Sequence, residues 1–475
     1  GLTVFHIVFF SAQAFSLRRC ASALMAWQAA EGPAGCGSEQ AVAATTKAPS
    51  AGTCSPSPGY GVAVGGTFMF LACIGTTLTI PFLQSRRDEL GCDGLCYGSQ
   101  VSLRNGLGLL GAVVLGRLSD RFGRRPLLCL GVLGNLLSIS ISIVENSIWG
   151  MWLALVPSAL LNQTFSITKA LFTDYFPGTD RVAEAERSGA IGRLGMAFGF
   201  AMMLGSGAGS RVASDYQQAQ SIGFVVTLAS APLIWLMPVP EASSAALPVH
   251  VGAGKGMWNS LRRWATLPVL RTPGARLLMC LRFFMSLAFH LFQVILMPSL
   301  HRRFAFTPAD HGLLMAFIGF VYAMSQGFVA KPLIRMCAGS DSDNTNLLCA
   351  CMVLLAFTRL PVIIATDIWV VYGAFGPMLV ALGTINTLIA SAASSLASSS
   401  SETGGLYGVL EACESIAGML GPVLSGLLVR AEQSSGLPHL VLGLIVVIYT
   451  ATTLLAALGY RRWIVLAETA DKKSV

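Results

Sequence analysis

The sequence predicts an all-α membrane protein of twelve transmembrane helices in two six-helix halves. Three observations predict it. The first is composition: of 475 residues, 54% are hydrophobic and only 11% are charged, with a mean hydropathy of +0.66. Soluble domains run near a quarter charged, so hydrocarbon rather than water is the main solvent. The second is the length of the apolar runs, about twenty residues, which cross a bilayer core of about 30 Å at 1.5 Å per residue. Buried backbone must pair within helices or a closed barrel, and barrel strands would alternate apolar and polar residues instead. The third is layout: a longer polar segment separates the sixth run from the seventh, as in transporters built from two related halves.

In order, the spans are expected at 60–84, 98–117, 127–145, 149–173, 189–210 and 219–238, then 276–298, 310–330, 345–365, 368–391, 404–428 and 438–460. The expected domains follow: an N-terminal segment 1–59, a six-helix half 60–238, a linker 239–275, a second half 276–462 and a tail 463–475. Segment 1–59 holds a short apolar run from Leu2 to Phe15, an A-x-A sequence at Ala12–Ala14, and an Ala/Gly/Ser/Pro-rich stretch poor in acids. It resembles two-part plastid-targeting leaders; an imperfect gene start and a disordered segment are the other readings. The membrane is accordingly the plasma membrane or an organelle membrane, a plastid membrane if the leader is real.

The basic residues decide orientation. "GRLSDRFGRRP", residues 116–126, packs four arginines and one aspartate between two apolar spans. Arg181, Arg187, Arg193, Lys255, Arg262, Arg263, Arg335, Arg461 and Arg462 fall on its side, against Arg86, Arg87, Arg211, Arg302, Arg303 and Arg430 opposite. The bias places the 116–126 turn in the cytosol, or in the stroma behind a plastid leader. Short basic loops of this kind are topology signals, which excludes a nucleic-acid groove despite the formal charge of +8. Within the turn, Gly116 and Gly123 are expected to supply positive φ and close approach. Asp120 is expected ahead of the third span, where a carboxylate meets free N–H groups. Cysteines inside spans, such as Cys73, Cys129 and Cys413, read as packing residues, and Cys92 and Cys96 share a loop compatible with a disulfide.

The order of residues in this turn is more specific than its charge. Gly116, Leu118, Ser119, Asp120, Arg121, Gly123, Arg124 and Arg125 resemble, at every defined position, the G-x-L-[SA]-D-R-x-G-R-R loop of the major facilitator superfamily. That resemblance implies the major facilitator fold and a conformational latch formed by Gly116, Asp120, Arg121, Gly123, Arg124 and Arg125. Residues 171–206 resemble the drug:proton antiporter branch, and within it the organic-cation-transporter-like group, through Gly192–Gly195, Phe198–Gly199 and Leu204–Ser206. Residues 311–329, with Gln326, and 404–428, with Gly421–Pro422, resemble the eighth and eleventh spans of the same group. A helix-packing motif is implied at Gly199, Gly205, Gly209, Gly421 and Pro422. Three departures stand out: Gly205–Ser206 replaces Gly-Pro, Leu155 occupies the place of a proton-linked arginine, and no acid lies between Tyr60 and Gln84. Proton coupling through the usual residues therefore does not follow.

Intramembrane charge costs about 2.5–3.5 kcal/mol per ionised residue at mid-helix, so each such residue asks for a role. Glu411 and Glu414 lie near the middle of the eleventh span, at i and i+3 on one helix face. Two carboxylates that close resist joint ionisation, which suits a proton- or cation-coupling pair. Structural pairing with Arg104 or Arg282 is the alternative. Arg104, Arg282, Asn386 and Gln293 join them as substrate or coupling candidates, with His290 and Gln326 as weaker ones. Lys169, Arg282 and Arg359 lie near span ends, where a long side chain reaches the headgroups. The sequence carries no Walker loop, GxSxG or HExxH, so no enzyme, cofactor or metal is expected. The expected activity is secondary active transport of small organic solutes, organic cations or amphipathic drugs, by alternating access with protons as counter-ions. The alternative is a transport-inactive membrane receptor or scaffold. The expected partners are the solute, the proton and the lipid bilayer, with no nucleic acid, around a monomer.

Overall fold

The chain was analysed as a computed structural model that describes residues 58–176, 181–238, 268–337, 344–396, 400–436 and 439–465. Among the described residues there is no strand; the regular structure is helical throughout. The N-terminal segment 1–57, most of the 239–275 linker and the tail from 466 lie outside the described residues.

In chain order the helices are α1 (Pro58–Thr77), α2 (Ile80–Glu89), α3 (Gly94–Phe122), α4 (Arg124–Val144), α5 (Ile148–Leu161), α6 (Thr164–Asp174), α7 (Arg181–Val212), α8 (Tyr216–Ser230) and α9 (Leu233–Leu236). After the linker come α10 (Pro273–Phe304), α11 (Pro308–Met324), α12 (Ala330–Cys337), α13 (Thr345–Ile364), α14 (Ile368–Leu396), α15 (Ser400–Ser435) and α16 (Leu440–Tyr460). Among the described residues nine helical tracts are both long and apolar enough to cross a bilayer. The tracts 94–122, 148–174 and 181–212 are helical without meeting both conditions. The first holds Arg104, the second divides into helices of 14 and 11 residues, and the third holds Arg193. The chain is thus a multi-pass membrane protein.

Polar residues start the helices where the chain enters them. Asp93 accepts a hydrogen bond from the Cys96 amide of α3 at 2.8 Å, and Ser147 accepts one from Gly150 of α5 at 3.1 Å. Thr307 and Asp310 form a reciprocal capping box at the start of α11. A disulfide joins Cys92 to Cys96 between α2 and α3.

The basic turn is tighter than its sequence suggests. Helix α3 continues through Phe122 and α4 starts at Arg124, leaving only Gly123 between them, at φ 87° and ψ 168°. Gly116 lies inside α3 and supplies no turn, and Asp120 belongs to the last turn of α3 rather than capping α4. The reason is local: nothing between Gly116 and Phe122 opposes a helix, and Gly123 is the first residue free to leave it. The side chains of Asp120 and Arg121 lie outside the described residues.

Two apolar cores hold the bundle together. One joins α1, α3, α4, α6, α7 and the 231–237 segment around Phe68, Leu128 and Phe172. The other joins α10, α11, α13, α14, α15 and α16 around Leu281, Leu355 and Ile385. Large apolar side chains left exposed, such as Val144, Trp149 and Leu458, sit where the surrounding solvent is lipid.

An L side chain at Gly123 carries a backbone penalty of about 1–3 kcal/mol. Gly123→Ala should therefore lower the detergent melting temperature by several degrees, whereas Gly189→Ala, inside α7 with its added carbon in open space, should leave it unchanged or slightly raised. Equal melting temperatures for the two variants would contradict this geometry.

Candidate functional site

Among the described residues, close backbone contacts seal one end of the bundle. At the end that carries Cys92, α3 and α15 touch backbone to backbone: a carbon added at Gly98 would lie 2.4 Å from the Pro422 carbonyl oxygen. One added at Gly426 would lie 3.1 Å from Leu95 Cα. On the other flank α7 meets α1 and α11. A β-carbon at Gly209 would collide with the Leu78 carbonyl oxygen, and one at Gly312 with the Ser210 hydroxyl. Polar groups complete this seal. The Ser206 hydroxyl donates to the Thr77 carbonyl at 3.2 Å, and a ring N–H of buried His311 donates to the Pro81 carbonyl at 3.2 Å. Along the same helix toward the basic end, a carbon added at Gly189, Gly192 or Gly195 would meet open space among the described residues.

Between these ends the ionisable side chains gather. Arg282 of α10 donates to Asn386 Oδ1 of α14 at 2.8 Å and forms a direct ion pair with Glu414 of α15. Tyr322 of α11 also hydrogen-bonds Asn386. Four helices thus converge on one charge-balanced cluster. Glu411, one turn away, has a different partner: Lys169 Nζ of α6 lies 4.0 Å from its Oε1. The ammonium also stands 5.8 Å above the Tyr407 ring, whose hydroxyl donates to the Ala390 carbonyl. The Lys169 and Glu411 side chains are 36% and 63% exposed, against 22% and 38% for Arg282 and Glu414.

The structure therefore brings together Glu414, Arg282 and Asn386, and sets Glu411 beside Lys169. It does not bring Arg104 or Gln293 to them. Arg104 is exposed, with Arg87 and Tyr97 as its electrostatic neighbours, and Gln293 hydrogen-bonds His290. Gln326 donates to the Gly383 carbonyl at 3.4 Å. Arg359 does not reach a headgroup: it is 1% exposed, between the rings of Phe292 and Tyr449 at 4.9 and 4.6 Å. Two aromatic faces from two other helices make burial favourable where a lone guanidinium would have sought water. Tyr322, Tyr407 and the role of Lys169 were missed from sequence. Tyr407 lies one helical turn before Glu411, and that i, i+4 spacing was the available signal.

At the basic turn, Arg124 donates from Nε to Asp174 Oδ2 at 3.1 Å and also contacts the Ser119 hydroxyl. Arg125 donates to the carbonyls of Trp235 and Met237. The turn thus ties α3 and α4 to the ends of α6 and α9. Of the packing glycines, a carbon added at Gly199 would lie 2.9 Å from the Gly319 carbonyl oxygen and one at Gly421 would lie 2.9 Å from His290 Cβ, while one at Gly205 would collide with Thr77 Oγ1.

Residues 66–340 match the family model described as Major Facilitator Superfamily, a stretch longer than half the chain. The chain belongs to the Major Facilitator Superfamily. Members of this superfamily are transporters, not enzymes. Among similar curated proteins, Solute carrier family 22 member 18 of Mus musculus is 27% identical over 370 residues, covering 76% of this chain and 87% of the mouse protein. Tetracycline resistance protein, class C, of Escherichia coli is 26% identical over 381 residues, covering 77% of this chain and 88% of its own length. In fold, the superfamily member resembles the crystal structure of the human organic anion transporter MFSD10 (TETRAN), with a TM-score of 0.66 at 17% identity, over 84% of this chain and all of that one. The nucleoside transporter NupG, as its D323A mutant, gives a TM-score of 0.60 at 12% identity, over 86% and 99% of the two chains.

The seal at the Cys92 end rests on backbone contacts that leave no room for a β-carbon. Gly312→Ala should weaken it, raising the thiol-labelling rate of a Ser85→Cys reporter several-fold in the same background. An unchanged labelling rate would mean that the α7–α11 contact does not hold this end closed.

Proposed function

We propose that this superfamily member moves small organic solutes carrying a cationic group by alternating access, in exchange for protons. One observation carries the proposal: a solvent-reachable ion pair, Lys169–Glu411, joins α6 of one half to α15 of the other, while the two halves meet backbone to backbone at the Cys92 end. A site that both halves share is what alternating access requires. The names of the relatives, a solute carrier and a tetracycline resistance protein, support a small organic cargo.

The exchange follows from the charges. Glu411 and Glu414 are each neutralised by a side-chain cation, Lys169 and Arg282. A cationic solute entering from the basic end takes the place of Lys169 on Glu411. The halves then rock about the glycine seams, the Cys92 end opens, and a proton replaces the solute on the carboxylate. Because solute cation and proton bind the same oxygens, each lowers the affinity for the other. Arg124–Asp174 and the rest of the basic turn act as the latch that holds the ends of α4 and α6 together during the swing.

Solute flux into proteoliposomes under an imposed pH gradient tests this. Flux should follow the gradient in the wild type, lose its pH dependence in Glu411→Gln, and slow with its pH dependence intact in Asp120→Asn. Flux indifferent to the gradient in the wild type would remove proton exchange. A Glu411→Gln variant that remains pH-coupled would remove that carboxylate as its site.

A further inference from the structure

The two ion pairs in the middle of the bundle are not equivalent. Arg282 and Glu414 are bonded directly, belong to the same half and share Asn386 and Tyr322. Lys169 and Glu411 come from opposite halves, approach only to 4.0 Å and are the more exposed of the two pairs. At that distance no hydrogen bond joins them, since N–H···O bonds lie near 2.7–3.2 Å. Each therefore keeps its hydrogen-bonding capacity for a third group.

Charge balance then restricts what that group is. A solute with a cation alone, placed on Glu411, leaves the Lys169 ammonium without its carboxylate and beside a second positive charge. A solute with an anion alone, placed on Lys169, does the same to Glu411. Once the halves close and water leaves, an unpaired charge of either sign is strongly disfavoured. A solute that carries both charges replaces the loose pair by two tighter ones and leaves the site neutral while it is bound.

The surroundings add a third requirement. Phe165 lies one turn before Lys169 on the same helix face, the face that meets the opposite half. Its ring stacks edge-on with Phe198 of α7 at 6.3 Å, and both side chains stand exposed, at 41% and 38%. Tyr407 lies under the ammonium from the other side. The charged pair is thus flanked by the exposed rings of Phe165 and Phe198.

We propose that the cargo is a small zwitterion with an apolar or aryl body, its cationic group on Glu411, its anionic group on Lys169 and its body against Phe165 and Phe198. The proposal rests on the transport reading above and narrows its cationic solute to one that also carries an anion.

Three probes of one body separate the charges: phenylalanine, phenethylamine and 3-phenylpropionate, titrated into the full-length protein in nanodiscs. The zwitterion should bind about tenfold or more tighter than either singly charged probe. Lys169→Gln should remove its advantage over phenethylamine, and Glu411→Gln its advantage over 3-phenylpropionate. The charge swap Lys169→Glu with Glu411→Lys should restore both, which guards against a variant that merely folds poorly. A singly charged probe binding as tightly as phenylalanine, an unchanged ranking in both single variants, or no binding of any probe would overturn the proposal. Gradient-driven solute flux that persists alongside such a result would leave the transport reading standing and sink only the zwitterion.

Discussion

Backbone touches backbone where the two halves of this bundle meet at one end, and glycine is the residue that makes it happen. Gly98 against Pro422, Gly312 against Ser210 and Gly319 against Gly199 bring helices of opposite halves closer than any β-carbon permits. In hydrocarbon the hydrophobic effect gives helices no reason to associate, so close van der Waals contact is the main attraction available. The seams run along α3–α15 and α7–α11, the most extensive helix–helix contacts among the described residues. The seal at the Cys92 end follows from where these glycines lie.

Within the space the seams leave, electroneutrality governs. An ionised carboxylate in the middle of a span demands a counter-charge, and the fold supplies two of different character. Arg282 is held by Asn386 as well as Glu414, so its position belongs to its own half and travels with it. Lys169 reaches from the other half, so the Lys169–Glu411 pair measures the separation of the halves. One pair is a fixed part of the wall. The other is sensitive to conformation and open to replacement by a solute or a proton.

The helices were legible because about twenty apolar residues in lipid have one satisfactory solution. Their ends were less so: α15 runs from Ser400 to Ser435, past the expected 404–428, since nothing stops a helix at the hydrocarbon boundary. The break between α5 and α6 at Asn162–Gln163 was read as one continuous span. Pro157 inside α5 and two amide side chains mark it afterwards, with Gln163 donating to the Gly108 carbonyl of α3 at 3.1 Å. The two glutamates were legible from the cost of burying them. Their partners were not, because Lys169 and Glu411 are far apart in the chain and spacing says nothing about which helices face each other. Arg359 shows the same limit: its position near a helix end suggested a headgroup, and only the packing of Phe292 and Tyr449 explains its burial. Gly116 and Asp120 were placed in a turn that Gly123 forms alone.

The central claim is that the halves exchange which end is closed, and paired distance measurements test it most directly. Spin labels across the Cys92 end, on α2 and α10, and across the basic end, on α4 and α14, would report both separations in lipid at two pH values. The account predicts reciprocal changes: where acidification or solute lengthens one distance, it shortens the other. Distances that stay fixed at both ends under every condition, or that lengthen together, would contradict it.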